Sequence, residues 1–232
     1  MKITTVINHL RKFYYRIPAL ESVYQGFLTR DLNTLGLPND FYPVPGAANH
    51  SLLYVILRAV KELTPQSVVE FGAGQSSILL SRMKDAGIFT GSILTVEHNP
   101  EWAQRISSKV NHRVCAVPLT EQTSHGKLYL GYDLRTLDFP EKIDLLLIDG
   151  PPAWEANHSH ARFSCLPAFE HLDPAGFMII IDDAERGGEA ALAKHLAHLA
   201  TQTGYHIKQR FVAANSRQAI IACGKFEAAA YF

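Results

Sequence analysis

Residues 66–77, Gln-Ser-Val-Val-Glu-Phe-Gly-Ala-Gly-Gln-Ser-Ser, constrain the fold more than any other stretch of the chain. Val68, Val69 and Phe71 read as a short buried strand, with Pro65 before it and Gly72 after it. Gly72 and Gly74 let the backbone turn tightly and approach a ligand with no Cβ in the way. From Gln75 the pattern becomes helical, with Ile78, Leu79 and Met83 on one side. A strand that ends in a glycine turn and opens a helix binds nucleotide-like ligands at the carboxyl edge of a parallel sheet. A Gly-x-Gly alone is weak, because such turns also arise for packing. Glu97 strengthens it, since it ends the next strand-like run (92–98), where a carboxylate can accept both hydroxyls of a ribose.

The rest of the chain repeats the alternation of strand and helix. Asn49 can cap a helix whose apolar face is Leu52, Leu53, Ile56, Ala59, Val60 and Leu63, stopped at Thr64-Pro65. A helix is expected over 100–110 with Trp102 and Ile106 inward, then a strand over 113–119, and an inserted hairpin or crossing segment over 126–133. The run 143–149 is nearly continuous in apolar residues, as a central parallel strand should be, and 176–183 repeats it. Helices are expected near 161–172 and 189–203, and an antiparallel pair over 206–212 and 218–223. The expectation is an α/β fold: a Rossmann-like, seven-stranded, mostly parallel sheet with helices on both faces.

Residues 1–40 form a separate region by composition, and 1–48 are expected to form an N-terminal helical arm and a lid loop, with the main domain over 49–232. Val6, Ile7, Leu10, Phe13, Tyr14 and Ile17 recur at helical spacing, and a second helix is expected over 20–28. Such an arm would pack on the domain or on a second subunit, as in a homodimer; a basic helix on a membrane surface is the other reading. Pro43, Pro45 and Gly46 mark 39–49 as a loop, with Phe41, Tyr42 and His50 expected near the mouth of a site.

Charge and cysteines narrow the function. The chain carries 22 basic and 22 acidic residues, which argues against a nucleic-acid partner. Cys115, Cys165 and Cys223 are widely spaced and read as small apolar residues of a reducing compartment. With no transmembrane segment or signal-type run, a cytoplasmic location is expected.

Val69-Glu70-Phe71-Gly72-Ala73-Gly74, followed by Val96-Glu97-His98, resembles the first two motifs of the class I S-adenosylmethionine (SAM) methyltransferases. A dinucleotide enzyme usually has a third glycine where this chain has Ser77. The resemblance spans about 65–224 and implies SAM as cofactor. It implies that Glu70 answers the charged methionine end and that Gly72, Ala73, Gly74, Ser76 and Ser77 form the cofactor loop. Glu97 would hold the ribose, His98 and Asn99 would lie by the adenine, and Asp149 would border the site.

Asp149, Asp182 and Asp183 finish two strands that the topology makes neighbours. Gathering like charges is costly unless a cation or donors offset them, and oxygen-only ligands suit a hard cation such as Mg²⁺. The three positions resemble the metal triad of cation-dependent O-methyltransferases, in which the metal makes a substrate hydroxyl the nucleophile. Those families place a base two or three residues after the first acid, where this chain has Pro151 and Pro152. Glu155, His158 and His160 are then the candidates for the base, and solvated loop residues are the plain alternative. Arg162 could pair with an anionic substrate group or with acids of the protein.

Ile148-Asp-Gly-Pro-Pro, Arg162-Phe-Ser-Cys-Leu-Pro and Ile181-Asp-Asp-Ala-Glu-Arg186 are similar to a bacterial group of SAM methyltransferases and, distantly, to the glucuronoxylan 4-O-methyltransferases. That resemblance implies a small-molecule or glycan hydroxyl as acceptor. Three rivals stay open: a metal-free transferase, a SAM-binding regulatory module without a base, and an aminopropyltransferase. The Asp-Pro-Pro-Tyr motif of amino-methylating nucleic-acid enzymes is not matched, since Gly150 interrupts it and Ala153 replaces the aromatic.

Overall fold

The computed structural model describes residues 15–42, 44, 46–124, 126–153 and 158–232. The apolar repeat Val6 to Tyr14, Pro43, Pro45 and the candidate base Glu155 lie outside the described residues. In chain order the elements are α1 (Glu21–Thr34), α2 (His50–Leu63), β1 (Ser67–Phe71), α3 (Gln75–Asp85), β2 (Ser92–Glu97), α4 (Pro100–Ser107) and β3 (Arg113–Ala116). There follow β4 (Leu119–Ser124), β5 (Lys127–Tyr132), β6 (Leu145–Ile148), β7 (Met178–Ile181), α5 (Gly187–Gln202), β8 (Ile207–Ala213) and β9 (Arg217–Cys223).

Seven strands form one sheet in the order β3-β2-β1-β6-β7-β9-β8. The first five run parallel, and β9 is antiparallel to both β7 and β8. Alternation along the strands divides their side chains between two cores. Val68, Ile93, Leu145 and Ile180 pack under α1–α3, whereas Val69, Leu94, Leu146 and Ile179 pack with α5 and residues 161–171. Each such fully buried aliphatic side chain stabilises the fold by about 1.5–3 kcal/mol. Leu28 and Leu32 of α1 are fully buried in the first core, against α2. Asn49 caps α2 as expected, its Oδ1 accepting the Leu52 N–H at 2.9 Å.

Two elements differ from the sequence expectation. The run 113–119 splits: β3 stops at Ala116, and from Leu119 the chain pairs antiparallel with β5 in a separate hairpin. Pro118, with no N–H to give a ladder, lies at the break. The segment Ala161–His171 is a 3-10 helix rather than an α-helix, and it contains Pro167, which disfavours an α-helical interior. Among the described residues no helix is long and apolar enough to cross a membrane.

The strand register sets up the site. Phe71 is level with Val96 and with Ile148, and Ile148 is level with Ile181. The residues one step on, Gly72, Glu97, Asp149 and Asp182, therefore form a row along the carboxyl edge. β1 is the switch point of the sheet, with β2 on one side and β6 on the other, and open α/β sheets bind ligands there.

Candidate active site

The glycine turn packs on the turn after β6. Gly72 has φ +98°, and a Cβ there would come within 2.9 Å of the Asp149 carbonyl carbon and oxygen. Glycine is therefore required at this position for both conformation and space. Gly74 is different: it has no heavy atom within 4 Å of its Cβ position and lines an open cleft. Its missing side chain leaves room for a ligand. The cleft has a volume of about 410 Å³, within the usual range for small-molecule sites.

Glu97 is buried at the end of β2, and its two oxygens divide their work. Oε2 accepts the Ala73 N–H at 3.1 Å, and Oε1 accepts the Asn99 N–H at 2.8 Å, with His98 Nδ1 2.7 Å away. Burial alone would raise its pKa; the His98, Asn99 and Ala73 contacts outweigh burial and hold it below the usual glutamate value. An ionised carboxylate has about four acceptor sites, so capacity remains for ribose hydroxyls. His98, Asn99, Gly72, Ala73, Gly74 and Ser76 line the same cleft. Trp102 also lines it, its indole Nε1–H donating to the Ala73 carbonyl at 2.7 Å. The sequence pattern pointed this ring inward; α4 instead buries Ala103 and Ile106, one position round, and leaves the indole 39 % exposed.

Two residues assigned to cofactor contact stand beneath the loop instead. Glu70 is almost wholly buried, its Oε2 accepting from Ser77 Oγ at 2.5 Å and from Thr95 Oγ1 at 2.8 Å. Burial raises its pKa against these hydrogen bonds. Ser77 is fully buried, and its Oγ also accepts the Gly74 N–H at 3.0 Å. Neither lines the cleft: Glu70 reaches inward from near the end of β1 and Ser77 from the first turn of α3, and together they hold the loop from below.

The far wall of the cleft is Val44, Gly46, Ala47 and Ala48. The segment expected to act as a lid is tied to α3 by a reciprocal pair: the Tyr42 N–H donates to Gln75 Oε1 at 3.0 Å, and Gln75 Nε2 donates to the Tyr42 carbonyl at 2.5 Å. Phe41 and His50, expected at the mouth, are buried. His50 opens α2, and its Nδ1 lies 3.5 Å from Glu21 Oε1.

A second cleft of about 590 Å³ shares Val44, Gly46, Ala47 and Asp149 with the first. Asp149, Asp182 and Asp183 border it and can bring ligand oxygens within 4.8 Å of one another. Asp183 is held in the left-handed region at φ +57°. Arg162 lies buried among the three carboxylates. Its Nη2 donates to Asp149 Oδ1 at 3.1 Å and Asp183 Oδ2 at 3.2 Å, and its Nη1 donates to the Asp182 carbonyl at 2.8 Å. Its Nε is 3.7 Å from Glu189 Oε1, and Arg186 Nη1 is 2.9 Å from Asp183 Oδ2. Asp182 Oδ1 accepts from Ser216 Oγ at 2.7 Å and Gln218 Nε2 at 2.8 Å.

Four carboxylates thus crowd around two guanidinium groups, and three of them have raised pKa values. Burial and then Asp182 push Asp149 well up, although its side chain is 27 % exposed to the cleft. Burial and then Asp183 raise Asp182 to about 6, and burial raises Glu189 to about 7. Burial opposes the charge on Arg162; the surrounding acids outweigh it and keep the guanidinium protonated.

The donor set is all oxygen, as a hard cation prefers, and it is gathered closely enough for one. It does not fit as it stands. One guanidinium nitrogen already bridges Asp149 and Asp183, and the third acid is held by two side-chain donors.

Of the candidate bases, His158 and His160 line neither cleft. His160 is buried, its ring stacked on Phe163 at 5.1 Å and its Nδ1 3.2 Å from Ser159 Oγ. The loop is pinned by α5: a Cβ on Gly188 would fall 1.5 Å from the Ser159 carbonyl oxygen, so only glycine admits this approach. Asp149 is the acid common to both clefts. Arg186, Glu189, Ser216 and Gln218 escaped sequence reasoning; the one signal was spacing, since Asp183, Arg186 and Glu189 stand three residues apart.

No protein-family model matches the chain, and neither does any curated protein. Among solved structures, a methyltransferase from Pyrococcus furiosus aligns over 88 % of this chain and 97 % of its own, with TM-score 0.50 and 15 % identity. An O-methyltransferase from Bacillus cereus in complex with SAH aligns over 87 % and 90 %, with TM-score 0.49 and 17 % identity. SAH-bound PaMTH1 of Podospora anserina aligns over 94 % and 93 %, with TM-score 0.49 and 14 % identity. From its strand order and its likeness to the Pyrococcus protein, this chain has the Rossmann-like fold of the class I SAM-dependent methyltransferases.

Proposed function

We propose that the chain is a SAM-dependent methyltransferase that methylates a hydroxyl of a small molecule or glycan. The observation that carries this reading is Asp149, which stands between a cofactor-sized cleft and a polar second cleft. SAM, when bound, would supply an activated methyl group, so the protein's work is alignment and proton removal. Glu97 would accept the ribose hydroxyls, Gly74 would leave space above the turn, and Trp102 and Val44 would wall the ligand from water. Asp149, whose side chain is partly exposed where the two clefts meet, would take the acceptor proton. Asn215 and Arg186 would offer hydrogen bonds to a hydroxyl-rich acceptor.

Calorimetry with S-adenosylhomocysteine tests the first half of this reading, and micromolar affinity, about −8 kcal/mol, is expected. The second half is tested by transfer from labelled SAM into fractionated cell extract, with wild type and Asp149→Asn compared. Binding without transfer to any fraction would favour a regulatory module instead. The feature behind that second reading is the pair Pro151 and Pro152 at the base positions, with His158 and His160 lining neither cleft.

A further inference from the structure

We infer that Arg162 is a built-in cation which takes the place of a divalent metal at the Asp149–Asp182–Asp183 cluster, so that this site holds and orients its carboxylates without a metal ion. The inference rests on the methyltransferase reading only for the role given to Asp149. The geometry behind it is independent of that reading.

Three observations carry it. First, the guanidinium is inside the cluster and not at its rim: the Arg162 side chain is 5 % exposed, and its donors reach the Asp149 and Asp183 carboxylates and the Asp182 backbone carbonyl within 3.2 Å. Second, the oxygen pair that a bridging ion would share is bridged already, since one Nη2 donates to both Asp149 Oδ1 and Asp183 Oδ2. A divalent ion needs oxygens at about 2.0–2.6 Å and cannot stand beside that nitrogen without expelling it. Third, the cluster is braced from the opposite side. Arg186 holds Asp183, Ser216 and Gln218 hold Asp182, and Glu189 lies behind Arg162. A planar fork with several fixed donors suits this task better than a lysine, whose charge is a point on a flexible stem. Arg162 is therefore a positioning residue. It fixes the Asp149 carboxylate at the boundary of the two clefts and does not itself face a reacting atom.

The test is binding of Mn²⁺ alone, followed by electron paramagnetic resonance on the full chain, with S-adenosylhomocysteine affinity measured separately on the same sample. Wild type should show no saturable Mn²⁺ site tighter than about 100 µM, the range of weak oxygen sites. Removing the guanidinium in Arg162→Met should open the cluster and create a Mn²⁺ site at least ten times tighter. A further Asp183→Asn change should abolish that site. Arg162→Lys, which keeps the charge, should stay closed to Mn²⁺. A tight wild-type site lost in Asp183→Asn would overturn the inference, and so would a folded Arg162→Met protein that binds no Mn²⁺. If Arg162→Met does not fold, the wild-type and Arg162→Lys titrations decide. Failure of S-adenosylhomocysteine to bind would instead count against the methyltransferase reading and leave the Mn²⁺ result standing.

Discussion

The two ends of the carboxyl edge handle negative charge in opposite ways. At the β2 end, Glu97 is alone, and backbone N–H groups from Ala73 and Asn99 approach it with His98. Its pKa falls, and it stays ionised with acceptor capacity to spare. At the β6–β7 end, Asp149, Asp182, Asp183 and Glu189 crowd together, and two arginines are left to balance them. There the pKa values of Asp149, Asp182 and Glu189 rise. Fixed peptide dipoles can serve one carboxylate at a strand end. A cluster of four needs full charges, and the chain supplies them from a 3-10 segment and from the turn before α5.

The comparison can be broken most sharply at Arg162. Arg162→Met leaves buried acids without their cation and should cost about 3–5 kcal/mol in urea unfolding. An equal loss from Arg58→Met, whose partner Glu62 is a surface i,i+4 neighbour, would show that burial is not what matters. The corresponding change at the other end, Glu97→Ala, should weaken S-adenosylhomocysteine binding by about 1.5–3 kcal/mol, as for a charged hydrogen bond. Unchanged affinity in that variant would mean the cofactor cleft is misplaced.

The glycine turn between the two ends offers a finer cut. Gly72→Ala forces a Cβ against the Asp149 backbone at a positive φ and should destabilise by about 1–3 kcal/mol. Gly74→Ala should leave stability within about 0.5 kcal/mol of wild type yet reduce ligand affinity, because its Cβ enters open cleft. Matching stability losses in the two variants would refute the division of labour between these glycines.

Acidity separates the ends more gently. Glu189 is raised to about 7, so its contribution to stability is full below the unfolded value near 4.5 and is lost as pH rises through about 7. Glu97 is lowered, so its contribution is present above the unfolded value and is lost as pH falls through the folded one. Urea midpoints of Glu189→Gln should therefore decline less than wild type between about pH 5 and 7. A parallel decline would mean the acid cluster is not crowded in solution. The smallest effect belongs to the lid. Gln75→Ala removes the Tyr42 pair and should speed protease cleavage within 39–46, and S-adenosylhomocysteine should slow cleavage in wild type.

Much of this arrangement was legible from local pattern. Apolar runs ending in acids located β6 and β7, and the glycines after Phe71 located the turn, because strand burial and left-handed backbone leave direct marks on residue type. Glu97 was legible for the same reason, as a polar residue closing an apolar strand. Side-chain direction was less so. Ser76 and Ser77 are adjacent on α3 and both reach Glu70, yet only Ser76 also lines the cleft. Trp102 fits either face of α4 by spacing, and packing of Ala103 and Ile106 chose the outer one.

By itself, then, the sequence determined the order of strands and helices, the glycine turn, and the presence of acids along one edge, since these follow from periodicity and backbone conformation. Tertiary structure alone decided what those acids are paired with. Arg162 is thirteen residues from Asp149 and about twenty from Asp182 and Asp183, and it meets them because Ala161–His171 folds back under β6 and β7. The same folding carried His160 onto Phe163 and away from the cleft, where Gly188 admits the Ser159 carbonyl. A local pattern records which charges a segment carries, and at most the i,i+3 pairing of Asp183, Arg186 and Glu189; that Arg162 is buried with them depends on how distant segments pack.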